Sequence, residues 1–289
     1  MESRLGNTGL ENSLKIICQL IGKSIYKRLE GYQNTALLWT NVSNEILPEQ
    51  FEFTHNKELE IHENDFSKTR LGNFVEGLFF SDLNTIDSID VLSKNIQVNN
   101  ENRTLGEIDC ILKENNKITH IEIVYKFYLF QNNSSENEVL NWVGPNLNDN
   151  LQFKLNKLKE KQFPLLYQSE TIDFLPENVK GKISEIHQKT HFKAQLFHPY
   201  QKNVEFELLN PKAIAGFYIQ FNELSQLKEN QFYIPEKLDW LIAPQESVKW
   251  LNFDNFKEEV NYWIQKEKSP LCWMKSNENV LKKLFVVWW

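Results

Sequence analysis

In the stretch GEIDCILKENNKITHIEIVYK, residues 106–126, two short apolar runs flank Asn115-Asn116 and carry Glu107, Asp109, Glu122 and Lys126. Asparagine tolerates the positive φ of a tight two-residue turn, so Glu114 is expected to pair with Lys117, which sets Asp109 directly opposite Glu122. Like charges opposed across two strands repel, and partial burial adds the cost of lost hydration. Something positive is needed between them. A divalent cation such as Mg²⁺ or Mn²⁺ takes carboxylate oxygens, and Lys126, on the same strand face as Glu122, is a second cation in reach. The competing reading is a solvent-facing hairpin, because half-exposed antiparallel strands carry such charges routinely.

Alternation sorts the hairpin by face. Thr119, Ile121, Ile123, Tyr125, Phe127 and Leu129 make one nearly apolar face, on which Tyr125 and Phe127 read as core. His120, Glu122, Val124 and Lys126 lie on the other, where His120 reads as a hydrogen-bonding surface histidine. Glu107 shares the face of Asp109 and is either an outer ligand or solvated.

Helices must hold this hairpin. In LGNFVEGLFFSDL, Leu71, Phe74, Val75, Leu78 and Phe79 recur at helical spacing, with Glu76 on the flank of the stripe. In LNDNLQFKLNKLKEK, after the breaker Gly144-Pro145, Leu147, Leu151, Leu155 and Leu158 share one face. Lys154 projects close to that face, either to hold a phosphate or to cover apolar surface with its stem. LKIICQLIGKSIYKRL, with Leu14, Ile17, Leu20, Ile21 and Ile25, predicts an N-terminal helix. IDVLSKNIQVN, FKAQLFHP, AIAGFYIQF, FYIPEKLDWLIAP and KLFVVWW read as strand-like, and NFKEEVNYWIQKEK as a helix. No internal repeat or clean linker divides the chain. One elaborated α/β domain over 1–289 is expected, with a core at about 60–200, a helical extension at about 10–45 and a C-terminal α+β elaboration at about 200–289.

Composition sets outer bounds. A chain of 289 residues with 41% hydrophobic and 25% charged residues holds enough apolar surface for a sizeable core. A formal charge of −7 advertises no nucleic-acid or anionic-membrane partner at the level of the whole chain, so any basic groove must be local. Cys18, Cys110 and Cys272 lack metal-ligand spacing and read as packing residues of a reducing compartment. No apolar run is long enough to span a membrane and the first residues are too polar for a signal peptide, so a cytoplasmic location is expected.

A helix carboxylate, an Asp on one strand and a Glu followed closely by Lys on the next resemble the PD-(D/E)XK nuclease superfamily, whose core is a small mixed sheet flanked by helices. The ordered blocks LGNFVEGLFF, TLGEIDCILKENNKITHIEIVYKFYL, WVGPNLNDNLQFKLNKL, LNPKAIAGFY and KLDWLIAP are similar to the domain-of-unknown-function-1853 family, placed with these nucleases by remote similarity. The resemblance covers about residues 35–289. It implies a restriction-endonuclease-like core and metal-dependent hydrolysis of phosphodiesters, DNA more than RNA. Asp109 and Glu122 would hold Mg²⁺ or Mn²⁺, Glu76 would assist them, and Lys126 would support the developing charge, with Lys154 and Glu107 as phosphate or outer contacts. The usual pattern places its lysine two residues after the Glu, where this chain has Val124. Position 126 restores the face but starts about 7 Å from Glu122 along the strand. The alternative is a nuclease fold that no longer cuts and serves as a binding or assembly module, with aromatic surface from Trp250, Trp263, Trp273, Trp288 and Trp289. Hydrolysis of a different phosphoester is a third reading.

Overall fold

The computed structural model describes residues 24–40, 46–61, 70–101, 103–132 and 137–289. The N-terminal stripe from Leu14 to Ile21, Cys18 and most of the SSENE loop lie outside them. Helix α1 (24–34) is followed by α2 (Leu71–Leu83), then strands β1 (Ile89–Asn100), β2 (Arg103–Glu114) and β3 (Lys117–Phe130). A two-residue strand β4 (Trp142–Val143), helix α3 (Leu151–Lys157) and strand β5 (His187–Pro199) follow. The C-terminal part supplies β6 (Ile214–Gln220), β7 (Gln231–Tyr233), α4 (Phe253–Ile264), β8 (Leu271–Lys275) and β9 (Leu281–Val287).

The nine strands among the described residues join one mixed sheet in the order β1-β2-β3-β5-β6-β9-β8-β7, with β4 on β3. β1, β2 and β3 form an antiparallel meander. β5 lies parallel to β3, β6 to β5 and β9 to β6. β5 meets β6 only from Leu196 onward, and the edge before that is met by residues 37–38 and 50–51, through Leu38 N–H to Phe192 O (2.8 Å) and Phe51 N–H to Thr190 O (2.8 Å). The stretch expected to be strand-like from Phe232 to Pro244 keeps a strand only over β7, and β8 carries no alternation of polar residues that would announce it: Leu271–Met274 are all buried.

The turn forms as its residues dictate. Asn115 and Asn116 have φ of 47° and 65°, and the pairing runs from Glu114↔Lys117 to Cys110↔Ile121. The apolar face of β3 packs with Ile25, Leu29 and Tyr32 of α1 and Phe74, Val75, Leu78 and Phe79 of α2. Val124, Tyr128, Phe192 and Leu196 on the opposite face pack with Leu151 and Leu155 of α3 and with Leu158. At His120, Glu122 and Val124 the charged face of the hairpin is thus covered by a helix, while Glu107 and Lys126 stay partly exposed.

Close approach requires glycine where α1 meets the loop before Ala243. A Cβ on Gly31 would overlap the carbonyl oxygen of Leu241, which is backbone and cannot rotate away. Gly31→Ala is therefore expected to lower stability by about 1–3 kcal/mol in chemical denaturation, with the slope against denaturant unchanged.

Candidate functional site

Pairing between β2 and β3 stops at Cys110↔Ile121, one position short of the two carboxylates. There the Asp109 side chain takes the role of a strand acceptor, its Oδ2 receiving the Ile123 N–H at 2.8 Å. Asp109 is 9% exposed and Glu122 fully buried. Burial first, and then the neighbouring Glu122 charge, push Asp109 up from 3.8 to about 8. Burial likewise pushes Glu122 up from 4.5 to about 8, against the pull of Lys154 and Lys157. The expected direct opposition of the two acids is not a ladder pair, since pairing ends one position before them; their charges nonetheless act on each other.

Glu122 is held at both oxygens. His120 sits within 2.9 Å of Oε1, and Gln162 Nε2 donates to Oε2. Gln188 Nε2 donates to His120 Nδ1 at 3.0 Å, and burial pushes His120 down to about 4, so the neutral ring carries its proton on Nε2 and donates to Glu122. His120 is accordingly a buried bridging residue, contrary to the surface role expected of it. Lys154 Nζ closes the chain by donating to Gln162 Oε1 at 2.8 Å. Lys154 is pushed down to about 8 by its burial, while Glu122 and Asp109 act to raise it.

Local geometry explains how these groups arrive. Asn150 caps α3 through its side chain, which accepts from Phe153 N–H at 2.8 Å, so the helix starts at Leu151. Leu147, expected on its apolar face, instead lies in the preceding turn at φ 59° and is exposed. After Lys157 the helix widens into a π-helical turn, Leu158–Gln162. Pro164 lies just beyond, and its missing N–H and ring disturb the regular ladder at that place. The wider turn puts Gln162 over Glu122. Nothing in hydrophobic periodicity announces that glutamine; the proline is the only local signal.

Glu76, half-buried on α2, and Glu107 on β2 complete the acidic side. Asn95 of β1, at φ 52°, aims its Nδ2 at Glu76 Oε2 (3.3 Å) and Glu107 Oε1 (3.4 Å), and Gln97 reaches Glu107 Oε2 at 3.3 Å. Burial raises the Glu76 carboxyl; the Asn95 hydrogen bond and Lys154 oppose that shift and Glu107 adds to it. Lys126 is the residue whose expected place changes. Its Nζ lies 2.6 Å from Asp149 Oδ2, in the turn that follows Gly144-Pro145, and both side chains are more than a third exposed. The lysine that faces the carboxylates is Lys154.

A hard divalent cation takes oxygen donors, which is the chemistry of Asp109, Glu122, Glu76 and Glu107. Asp109 Oδ1 has no hydrogen-bond partner among the described residues. As placed, however, no group of three or more His, Cys, Asp or Glu side chains among the described residues is arranged to hold an ion. The donor types fit such a cation, and as placed they do not converge on one point.

A family model described as Domain of unknown function (DUF1853) matches residues 32–287. No curated protein and no solved structure matches the chain. No helix among the described residues is long and apolar enough to cross a membrane.

Proposed function

The chain belongs to the domain-of-unknown-function-1853 family, and we propose that it is a metal-dependent nuclease with a restriction-endonuclease-like core, acting on DNA at the fork between β2 and β3. The observation that carries this reading is the Asp109–Glu122 pair, two acids buried together at the point where strand pairing ends, with Lys154 as the nearest cation. A purely structural sheet gains nothing from such a pair, because each charge raises the cost of ionising the other. The order helix, three-stranded meander, short strand, helix, parallel strand (α2-β1-β2-β3-β4-α3-β5) supports the fold part, since it puts the acids on adjacent strands, second and third from one edge of a sheet flanked by helices.

Asp109, through its open Oδ1, Glu122 and Glu76 would hold Mg²⁺ or Mn²⁺. When bound, such an ion neutralises nonbridging phosphoryl oxygens and lowers the pKa of water. The protein's own part is positioning. His120 and Gln162 fix the Glu122 carboxylate, and Gln162 also ties Lys154 Nζ to that carboxylate. With its ammonium pushed down to about 8, Lys154 is a weakly held cation that supports charge developing on a phosphoryl oxygen. Lys126, committed to Asp149, contributes at longer range.

Linear double-stranded, plasmid and single-stranded DNA incubated with Mn²⁺ or Mg²⁺ should be cleaved. Asp109→Ala and Glu122→Ala should each lower the rate by at least about 100-fold, as loss of a group that acts on the reacting atoms does. Lys154→Met should lower it by at least about tenfold and Lys126→Met by much less. Absence of cleavage on every substrate with either ion would end this reading.

One observation favours the second reading, a nuclease-like protein that binds without cutting. Both Glu122 oxygens are taken by His120 and Gln162, and Lys126 is drawn away to Asp149. That protein would bind DNA in a mobility-shift assay without turnover, and Asp109→Ala would leave the binding unchanged.

A further inference from the structure

β9 carries a second buried charge that the carboxylate site does not use. Lys283 shares the parity of Phe285 and Val287, which pack in the core, and it is 6% exposed. Its Nζ donates to Gln195 Oε1 at 2.9 Å and to the Trp240 carbonyl at 2.7 Å, with the Leu241 carbonyl at 3.4 Å. Every one of these acceptors is neutral. The ammonium's hydrogen bonds are satisfied while its charge is not, and an uncompensated buried charge is costly unless an anion comes near it.

Lys283 lines a cleft of about 400 Å³ between α1, the start of β6 and β9. Lys27, Lys212 and Lys282 join it in the lining, and Glu30 is the only acid there. Among the described residues none of these four lysines makes an ion pair, and burial, the one influence resolved on Lys283, pushes it down to about 7. The volume is that of a small-molecule site. Lysines act as point charges and suit a tetrahedral, multiply charged oxyanion, whereas the flat carboxylate is matched by the fork of arginine, which this lining lacks. The cleft is also remote from the acids in the sheet. Thr190 is the register partner of Glu122, and Gln195, five residues further along β5, points to the opposite face.

We propose that this cleft binds a small phosphoryl-bearing anion, at a site separate from the Asp109–Glu122 fork. Lys27, Lys212 and Lys282 contact the anion from the rim, and Lys283 lies behind it, where a bound anion favours its charged form. The site does not depend on the nuclease reading.

Isothermal titration of the full chain with inorganic pyrophosphate, in EDTA and moderate salt, tests it. One saturable site with Kd below about 1 mM is expected. Lys212→Ala combined with Lys282→Ala, both at exposed side chains, should weaken binding by at least about tenfold with the thermal midpoint unchanged. Lys283→Met should weaken binding similarly; because it also leaves the Gln195 and Trp240 acceptors unpaired, its thermal midpoint is recorded beside the titration. Should that variant not fold, the exposed pair decides. Asp109→Ala should bind as the wild type does, whatever its effect on DNA. Failure of pyrophosphate to bind, equal binding by the Lys212/Lys282 variant, or loss of binding in Asp109→Ala would each overturn the proposal.

Discussion

At pH 8 the Asp109→Asn protein should unfold at a higher temperature than the wild type, and the difference should vanish near pH 4. Asn keeps the oxygen that accepts from Ile123 N–H and removes the charge that Glu122 repels. The folded Asp109 carboxyl is raised from 3.8 to about 8, so between those values the folded protein holds more of this proton than the unfolded chain. Stability contributed by the protonated acid is fully present below about pH 4 and is lost as pH rises through about 8. Asn mimics the protonated form at all pH and escapes the loss. The gain should reach about 1–3 kcal/mol, or several degrees in midpoint, discounted from the full shift because Glu122 and Lys154 readjust. On the proposed nuclease reading the same substitution should abolish cleavage, an exchange of stability for function that is common where acids are gathered for chemistry. Thermal melts from pH 4 to 9 provide the measurement. A midpoint for Asp109→Asn at or below the wild type at pH 8 would mean that the carboxylate is not penalised by its surroundings.

Asp82→Ala should have the largest effect of the opposite sign. Asp82, on the last turn of α2, is fully buried and accepts from His55 Nδ1 at 2.6 Å, Asn56 N–H at 2.9 Å and Gln33 Nε2 at 3.1 Å. His55 Nε2 lies 3.0 Å from Nζ of Lys193, a buried lysine of β5 that also donates to the carbonyls of Tyr32 and Gln33. Burial pushes Lys193 down to about 7, and Asp82 is the first of the charges that hold it up. Removing Asp82 leaves three donors unmet and a buried ammonium without its anion. A loss of about 3–5 kcal/mol is expected, on the order of 10 °C in midpoint. His55→Ala, which removes one donor and leaves the acid, should cost about 1–2 kcal/mol. Denaturant titration distinguishes the two, and a loss below about 1 kcal/mol for Asp82→Ala would show that the network does not tie Gln33, His55 and Asn56 to the sheet.

The contrast between these two acids shows what each kind of information supplies. Asp109 stands out in the sequence because the Asn115-Asn116 turn is local and the side-chain period of a strand is two, which together decide its face and the register that ends one pair before it. Asp82 lies at the end of the α2 stripe with no local feature to mark it. Its partners come from residues 26 to 49 positions earlier in the chain, and no periodicity encodes such a distance.

Lys126 and Lys154 divide in the same way. Parity correctly places Lys126 on the face of Glu122, but parity says nothing about the turn after Gly144-Pro145 that brings Asp149 to its ammonium. Lys154 reaches the carboxylates through Gln162 because α3 is capped at Asn150 and opens into a π-helical turn, an outcome of packing over the whole segment from Asn150 to Leu165.

By itself, then, the sequence determined the hairpin, its register, the apolar faces of α2 and β3, and the pair Asp109 and Glu122, all of which rest on spacings shorter than a turn or fixed by one. The tertiary structure alone decided that the charged face is partly covered by α3, that His120 and Gln162 hold Glu122, which lysine faces it, and that Lys283 lines a basic cleft. Each of these depends on two chain segments arriving at one place, and the free energy that brings them there comes from burying apolar surface, which is blind to the polar groups carried along with it.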